Sequence, residues 1–357
     1  MAAVQERRRQ RLAEVLASMG VGSALVTSLL NIRYLTGFTG SAAALLVGAD
    51  GNAELATDSR YELQVAQECP DVPARITRNG RRDLAGSLLG RGFGSAGFED
   101  LSLPVSAWRE LAAGVEWMPL GSAVDHLRMT KDAVELDLLR AACAASDEAL
   151  ASVLPRLRAG ASEREVARWI DDGLRDRSEG PGFETIVASG SNGAIPHHQP
   201  TDRVIVQGDL VTMDFGARVG GYHSDMTRTV VIESAADLWQ LEIYETVRRA
   251  QQAGVDALAV GRAASEVDAA ARSIVVEAGF GECFGHGLGH GVGLQIHEAP
   301  FLGATSPDSL LSSVPVTIEP GIYLSGRGGV RIEDTVVVHA DSVETLTTTT
   351  RDLLVVG

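Results

Sequence analysis

Between Asp209 and Ile232 the chain reads DLVTMDFGARVGGYHSDMTRTVVI, two β-prone runs joined across Arg218 to Gly221, with glycines where a tight turn wants them. The spacing predicts a β-hairpin. With Val219 and Gly220 as a two-residue loop, Asp214 lies directly opposite Asp225 and the two carboxylates share one face. Opposed Cβ atoms are about 4.5–5.5 Å apart, and like charges so placed destabilise a sheet unless something neutralises them. A divalent cation meets that need. Two solvated acids beside an ordinary turn are the plainer alternative.

A second feature points the same way. Residues Phe284 to Pro300 read FGHGLGHGVGLQIHEAP, placing His286, His290 and His297 among glycines too numerous for a stable helix. Glycine lets backbone approach a ligand closely, and neutral imidazole is the commonest nitrogen ligand for transition metals. Two rival motifs fail on spacing. His297-Glu298 would open a zincin helix, but Phe301 stands where the second histidine belongs, and no register of the glycines fits a dinucleotide fingerprint. Further on, VTIEPGIYL and GGVRIEDTVVV set Glu319 and Glu333 inside apolar, strand-like runs. Buried carboxylates need a partner, which is either a metal or a salt bridge from Arg331. Four carboxylates and one imidazole make a hard, oxygen-rich donor set, suited to a pair of ions rather than to mononuclear zinc, and two-metal hydrolysis is the expected chemistry.

The 357 residues exceed the usual single-core size, so two domains are expected. The first third alternates helical and strand-like stretches: a helix over 5–19, strands near 22–27, 42–47, 53–57 and 72–76, helices over 61–67 and 83–89, and a strand ending at 117–120. This is an α/β pattern. From Thr130 the texture changes to long helices. Thr130 or Asp132 can cap the first, and Ser162 with Glu165 forms a capping box for the second. The boundary is placed near Leu127, giving domains 1–127 and 128–357, and a helical pair is expected over about 238–258 and 264–278. A formal charge of −16 argues against nucleic acid or anionic membrane as partner. No apolar run is long enough to cross a bilayer. The arginine-rich start reads as an amphipathic helix of a cytoplasmic protein, and Cys69, Cys143 and Cys283 lie too far apart for a thiolate site.

At these motifs the sequence resembles the pita-bread metallopeptidases, the family of methionine aminopeptidase, aminopeptidase P and prolidase. NIRYLTGFTGS and TDSRY resemble the creatinase-like amino-terminal domain carried by the proline-specific branch. The resemblance implies a small creatinase-like α/β domain followed by an α+β pita-bread catalytic domain. It also implies two divalent metal ions, Mn²⁺ first with Co²⁺ or Zn²⁺ as alternatives, on Asp214, Asp225, His290, Glu319 and Glu333. Asp225 and Glu333 would bridge the ions and Glu319 would shuttle the proton. By the same resemblance His197, in SNGAIPHHQP, contacts substrate, His297 stabilises the tetrahedral intermediate and His286 is an additional histidine of the proline-specific branch. Tyr222, Thr227 and Arg331 fit supporting roles. A homodimer acting on proline-containing peptides is implied as well.

Two departures bear on substrate. SSVPVT over 312–317 replaces a common EGMVFT and affects strand entry. Small prolidases carry an arginine just after HExP to hold the dipeptide carboxylate, whereas here Phe301 occupies that place and no Lys or Arg falls between Glu298 and Glu319. That absence favours an Xaa-Pro aminopeptidase, with an Xaa-Pro dipeptidase as the alternative and a non-catalytic binding protein behind both. A cation from the N-terminal domain or a partner subunit can fill the missing role.

Overall fold

Asp132 and Ser162 each start a helix in the same way. In the computed structural model, which describes residues 2–91, 95–111 and 114–357, both form complete capping boxes with Glu135 and Glu165 and launch helices Ala133–Val153 and Glu163–Arg175. Such caps satisfy backbone N–H groups that a helix start leaves orphaned and contribute about 0.5–2 kcal/mol each.

The chain divides into two compact units, Met1–Arg128 and Met129–Gly357. The first holds a six-stranded mixed sheet, in the order Ala74–Ile76, Ala53–Thr57, Ala43–Gly48, Ser23–Val26, Ser95–Phe98, Glu116–Pro119. Its arginine-rich first helix, Ala2–Ser18, turns two charges inward: Arg8 and Arg9 are buried and donate to the Tyr34 and Leu35 carbonyls near the end of helix Leu29–Thr36. Cations favour that end of a helix dipole. Helix Leu29–Thr36 and strand Ser95–Phe98 were not among the expected elements.

The second unit is two helix-backed sheets. Helices Ala133–Val153 and Glu163–Arg175 cover a four-stranded sheet ordered Val355–Val356, Met226–Ile232, Leu210–Phe215, Ile186–Ser189. Leu150, Val166 and Ile170 pack there with Val187, Val211 and Met213. Helices Leu238–Asp256 and Ala264–Glu277 cover a five-stranded sheet ordered Glu298–Leu302, Gly289–Gly291, Val314–Ile318, Asp334–Val338, Val343–Thr345, with Val247, Val267 and Ala271 against Val316, Ile318 and Val336. Each such fully buried Val, Leu, Ile or Met side chain contributes roughly 1.5–3 kcal/mol. A bridge between Thr227 and Glu333 joins the two halves. At the altered strand entry Ser313 takes φ 61°, and its N–H still reaches the Val338 carbonyl at 2.7 Å. No helix among the described residues is long and apolar enough to cross a membrane.

The hairpin forms, with a different register from the expected one. Its turn is Gly220-Gly221, both at positive φ (56° and 78°), and Tyr222 pairs with Val219. Asp214 is therefore opposite Thr227 rather than Asp225. Two consecutive positive φ values define the turn that matches strand twist, and only Gly-Gly offers them cheaply here. Because Asp225 and Thr227 are two residues apart on one strand, Asp225 still shares the face of Asp214, as a diagonal neighbour.

Candidate metal centre

Five strands or strand ends bring the donors together. Asp214 lies near the end of Leu210–Phe215, Asp225 just before Met226–Ile232, and Glu319 directly after Val314–Ile318. Glu333 sits between Gly328–Arg331 and Asp334–Val338, and His290 centres the three-residue strand Gly289–Gly291. That short strand threads between two others so tightly that a Cβ on Gly289 would stand 2.0 Å from the Thr317 carbonyl oxygen. His290 Nε2 lies 3.3 Å from Glu319 Oε1 and 3.6 Å from Asp225 Oδ2, and donor atoms of Asp225, His290 and Glu333 fall within 4.8 Å of one another.

Hydrogen bonds aim these groups. His290 Nδ1 faces the Gly291 carbonyl at 3.0 Å, which assigns its proton to Nδ1 and leaves Nε2 as the donor atom. Thr317 Oγ1 accepts from the His290 N–H and donates to Glu319 Oε1 at 3.1 Å. Thr227 Oγ1 donates to Glu333 Oε2 at 2.7 Å and accepts from Arg331 Nε. Arg331, which the sequence left free to pair with Glu319 or Glu333, instead donates to Asp214 Oδ2 at 2.6 Å. Its Nη1 donates to the Tyr323 hydroxyl, which lies 2.9 Å from His286 Nε2, while His286 Nδ1 meets the Gly287 carbonyl at 2.8 Å. The relay places the His286 proton on Nδ1.

Four carboxylates share this buried site with one guanidinium. Burial, reinforced by their neighbours' negative charge, pushes Asp225 and Glu333 well above the usual carboxylate range, and burial raises Asp214 despite Arg331. Burial also disfavours charge on Glu319, but His290, His286 and Arg331 outweigh it and hold that carboxyl below its ordinary value. His290 is raised by Glu319 against the effect of burial, whereas burial lowers both His286 and His297. Asp214 Oδ1 and Glu333 Oε1 are buried without any hydrogen-bond partner. Such oxygens are costly unless a cation completes them. The donor set thus fits divalent metal.

The site forms one wall of a cavity of about 660 Å³, whose lining includes His197, His286, His297, Phe301 and Asp308. His297 is exposed and stands edge-on to His290 with ring centroids 4.4 Å apart. His197 faces the cavity while its neighbour His198 is buried, bonded to Glu163 at 2.9 Å.

The profile of metallopeptidase family M24 matches residues 137–340, and that of the creatinase/prolidase N-terminal domain matches 8–130. The chain is a member of metallopeptidase family M24. An Xaa-Pro dipeptidase of Pyrococcus horikoshii is 33% identical over 355 residues, covering 98% of this chain and 99% of the relative. Among solved structures, an Xaa-Pro dipeptidase from Bacillus anthracis superposes with a TM-score of 0.94 at 34% identity, covering 99% and 100% of the two chains. An X-Pro aminopeptidase from Thermotoga maritima gives 0.89 at 32% identity, covering 98% and 99%. The resemblance to the proline-specific pita-bread branch and the two-part fold are both borne out.

Within this M24 chain, eleven residues were singled out from sequence, and ten of them meet at or directly behind the cavity wall. The exception is Tyr222, buried on its short strand with its hydroxyl donating to Glu135 at 2.8 Å, outside the cavity lining. Its place next to the Asp225 motif suggested proximity, but the glycine turn carries it toward the first long helix. Sequence reasoning missed Tyr323 and Thr317, polar residues in apolar strand surroundings. It also missed Lys131, the chain's single lysine, which is buried and paired with Glu298 at 2.6 Å.

Proposed function

We propose that this M24 metallopeptidase is an Xaa-Pro dipeptidase that holds two divalent ions, with Mn²⁺ favoured by the oxygen-rich donors, on Asp214, Asp225, His290, Glu319 and Glu333. The observation that carries hydrolysis is the convergence of those five side chains with two orphaned carboxylate oxygens on a cavity wall. The ions, when bound, supply an activated water and polarise the scissile carbonyl. Asp225 and Glu333, the most buried of the four carboxylates and the most crowded by negative charge, would hold the ions from the inner side of the site. Glu319, ionised at neutral pH, takes the water's proton and returns it to the leaving proline nitrogen. His297, neutral at that pH, donates from the rim, His286 lines the cavity with its Nδ1 proton on the Gly287 carbonyl and its Nε2 on the Tyr323 hydroxyl, and His197 contacts substrate. Thr227 and Arg331 orient Glu333 and Asp214. For Tyr222 the support is limited to holding Glu135, so no substrate role is assigned to it.

Dipeptides are favoured over longer peptides because two full-length archaeal relatives, each 33% identical, and a full-length solved structure at 34% are Xaa-Pro dipeptidases, against one X-Pro aminopeptidase at 32%. The aminopeptidase reading keeps one specific support: the cavity lining has one guanidinium, Arg331, already committed to Asp214, and places exposed Phe301 and half-buried Asp308 where a carboxylate would want a cation. Free thiols agree with action in the cytoplasm, and family likeness favours a homodimer. The deciding assay compares Ala-Pro with Ala-Pro-Ala in added Mn²⁺. A charge-assisted bond to the proline carboxylate, from a cation outside this lining such as a partner subunit's, is worth about 1.5–3 kcal/mol, so kcat/KM for the dipeptide should lead by roughly ten- to hundredfold. A lead for the tripeptide makes the enzyme an aminopeptidase.

A further inference from the structure

His197 rides on a segment with little regular structure: one turn of 3-10 helix over Gly190–Ala194, then a turn from Ile195 to His198, closed by the His198 N–H on the Ile195 carbonyl at 3.2 Å, in which Ile195 and His197 are exposed. Loops of this kind owe their precision to what ties them down. Here the tie is a single carboxylate. Glu163, at the start of helix Glu163–Arg175 and fully buried, accepts six hydrogen bonds from the two ends and the middle of the segment. Oε1 receives Ser189 N and Oγ, both at 2.8 Å, and Asn192 Nδ2 at 3.0 Å. Oε2 receives His198 Nε2 at 2.9 Å, Thr201 N at 3.0 Å and Thr201 Oγ1 at 2.7 Å.

The arrangement is fixed from both sides. Arg203 Nη1 donates to Ser189 Oγ at 2.6 Å, which turns that hydroxyl's proton toward Glu163. Arg331 Nη1 donates to the Pro196 carbonyl at 3.3 Å, so the guanidinium that holds Asp214 also holds the residue before His197. His197 is a central residue of that turn and reaches the cavity, while His198 closes the turn with its backbone N–H and is buried on Glu163. Locking the His198 ring on Glu163 therefore fixes the closing end of the turn and, with it, where His197 stands. Burial opposes the Glu163 charge, but bonds from Thr201, His198, Asn192 and Ser189 outweigh it and bring its pKa down to about 2. The carboxylate is a permanent acceptor.

We propose that Glu163 is a positioning residue for peptide hydrolysis, setting the stance of His197 toward the substrate through His198 without touching the substrate itself. The inference rests on the reading above that His197 meets the peptide. Glu163→Gln keeps the shape but turns an amide NH₂ toward groups that are themselves donors. Thr201→Val is the milder variant, removing one hydroxyl bond and leaving the backbone N–H. Kinetics with Ala-Pro and added Mn²⁺ should show KM raised about tenfold or more in Glu163→Gln, with kcat changed less and metal content intact, and a smaller rise in Thr201→Val. In a His197→Ala background each substitution should add less than about twofold, because the group it positions is gone. Independent losses in the double variants, or an unchanged KM in the singles, overturn the proposal. If Glu163→Gln does not fold, Thr201→Val with its double variant carries the same test. A turnover-free measurement separates this inference from the assigned reaction: the imidazole NMR resonances of His197 should move in Thr201→Val while those of His339, paired with Glu344 far along the chain, stay in place. A wild-type protein without Xaa-Pro hydrolysis defeats the functional reading alone, whereas unmoved His197 resonances defeat the role of Glu163.

Discussion

Dialysis against a chelator is expected to lower Xaa-Pro hydrolysis about a thousandfold or more, with recovery on adding Mn²⁺. Metal ions contribute several kcal/mol to such reactions, and each ~1.4 kcal/mol is a factor of ten. Full activity in demonstrably metal-free protein would remove the assignment of the five donors. Stability should follow a related pattern. Asp225 and Glu333 have folded-state pKa values raised well above their ordinary 3.8 and 4.5, so the metal-free folded chain binds protons that the unfolded chain releases. Their contribution is then intact below those ordinary values and is lost as pH climbs from there through the raised ones. Metal competes with the same protons and stabilises more as pH rises. Thermal unfolding with and without Mn²⁺ should therefore differ more at pH 8 than at pH 5. A gap that narrows with pH contradicts the upward direction of these shifts.

Lys131→Met is expected to destabilise the protein by about 3–5 kcal/mol, because it leaves Glu298 buried with its ionic partner removed. Urea unfolding followed by tryptophan fluorescence reads the loss. A second change, Glu298→Leu, should restore much of it, since the pair's desolvation penalty disappears along with its attraction. If the double variant is as weak as the single, packing of the lysine stem, not charge, is what Lys131 supplies. Activity should fall in the single variant too, because Glu298 adjoins His297.

What the sequence made legible was whatever is encoded locally. A cap at Thr130 or Asp132 and a capping box at Ser162 are read within four residues; Asp132 takes the first, and both close as boxes. The hairpin was legible as a hairpin, but its register was not, since Val219-Gly220 and Gly220-Gly221 are both plausible loops until twist selects the pair with two positive φ values. The consequence for the acids survived because the two registers differ by an even step, and side-chain facing repeats every two residues. Helix Leu29–Thr36 was hidden by its length, since eight residues are barely two turns and carry too little of the helical period to read. The supporting bonds were out of reach for another reason. Lys131 and Glu298 are separated by 167 residues and Glu163 and Thr201 by 38, and no local pattern marks which buried charge meets which. Motif resemblance singled out the five candidate donors, and the fold alone revealed that Arg331 serves Asp214 and that Tyr222 turns away.

The burial of Lys131 reaches beyond stability. Every other one of the 31 Lys and Arg residues is arginine, so succinimidyl esters and lysine-specific proteases have one internal target, and its side chain is 1% exposed. Such reagents can act there when the catalytic unit opens locally. Acylation or cleavage at Lys131 would act as a chemical clock for that opening, read by mass spectrometry on an unmodified chain, and substrate analogues that close the cavity should slow it.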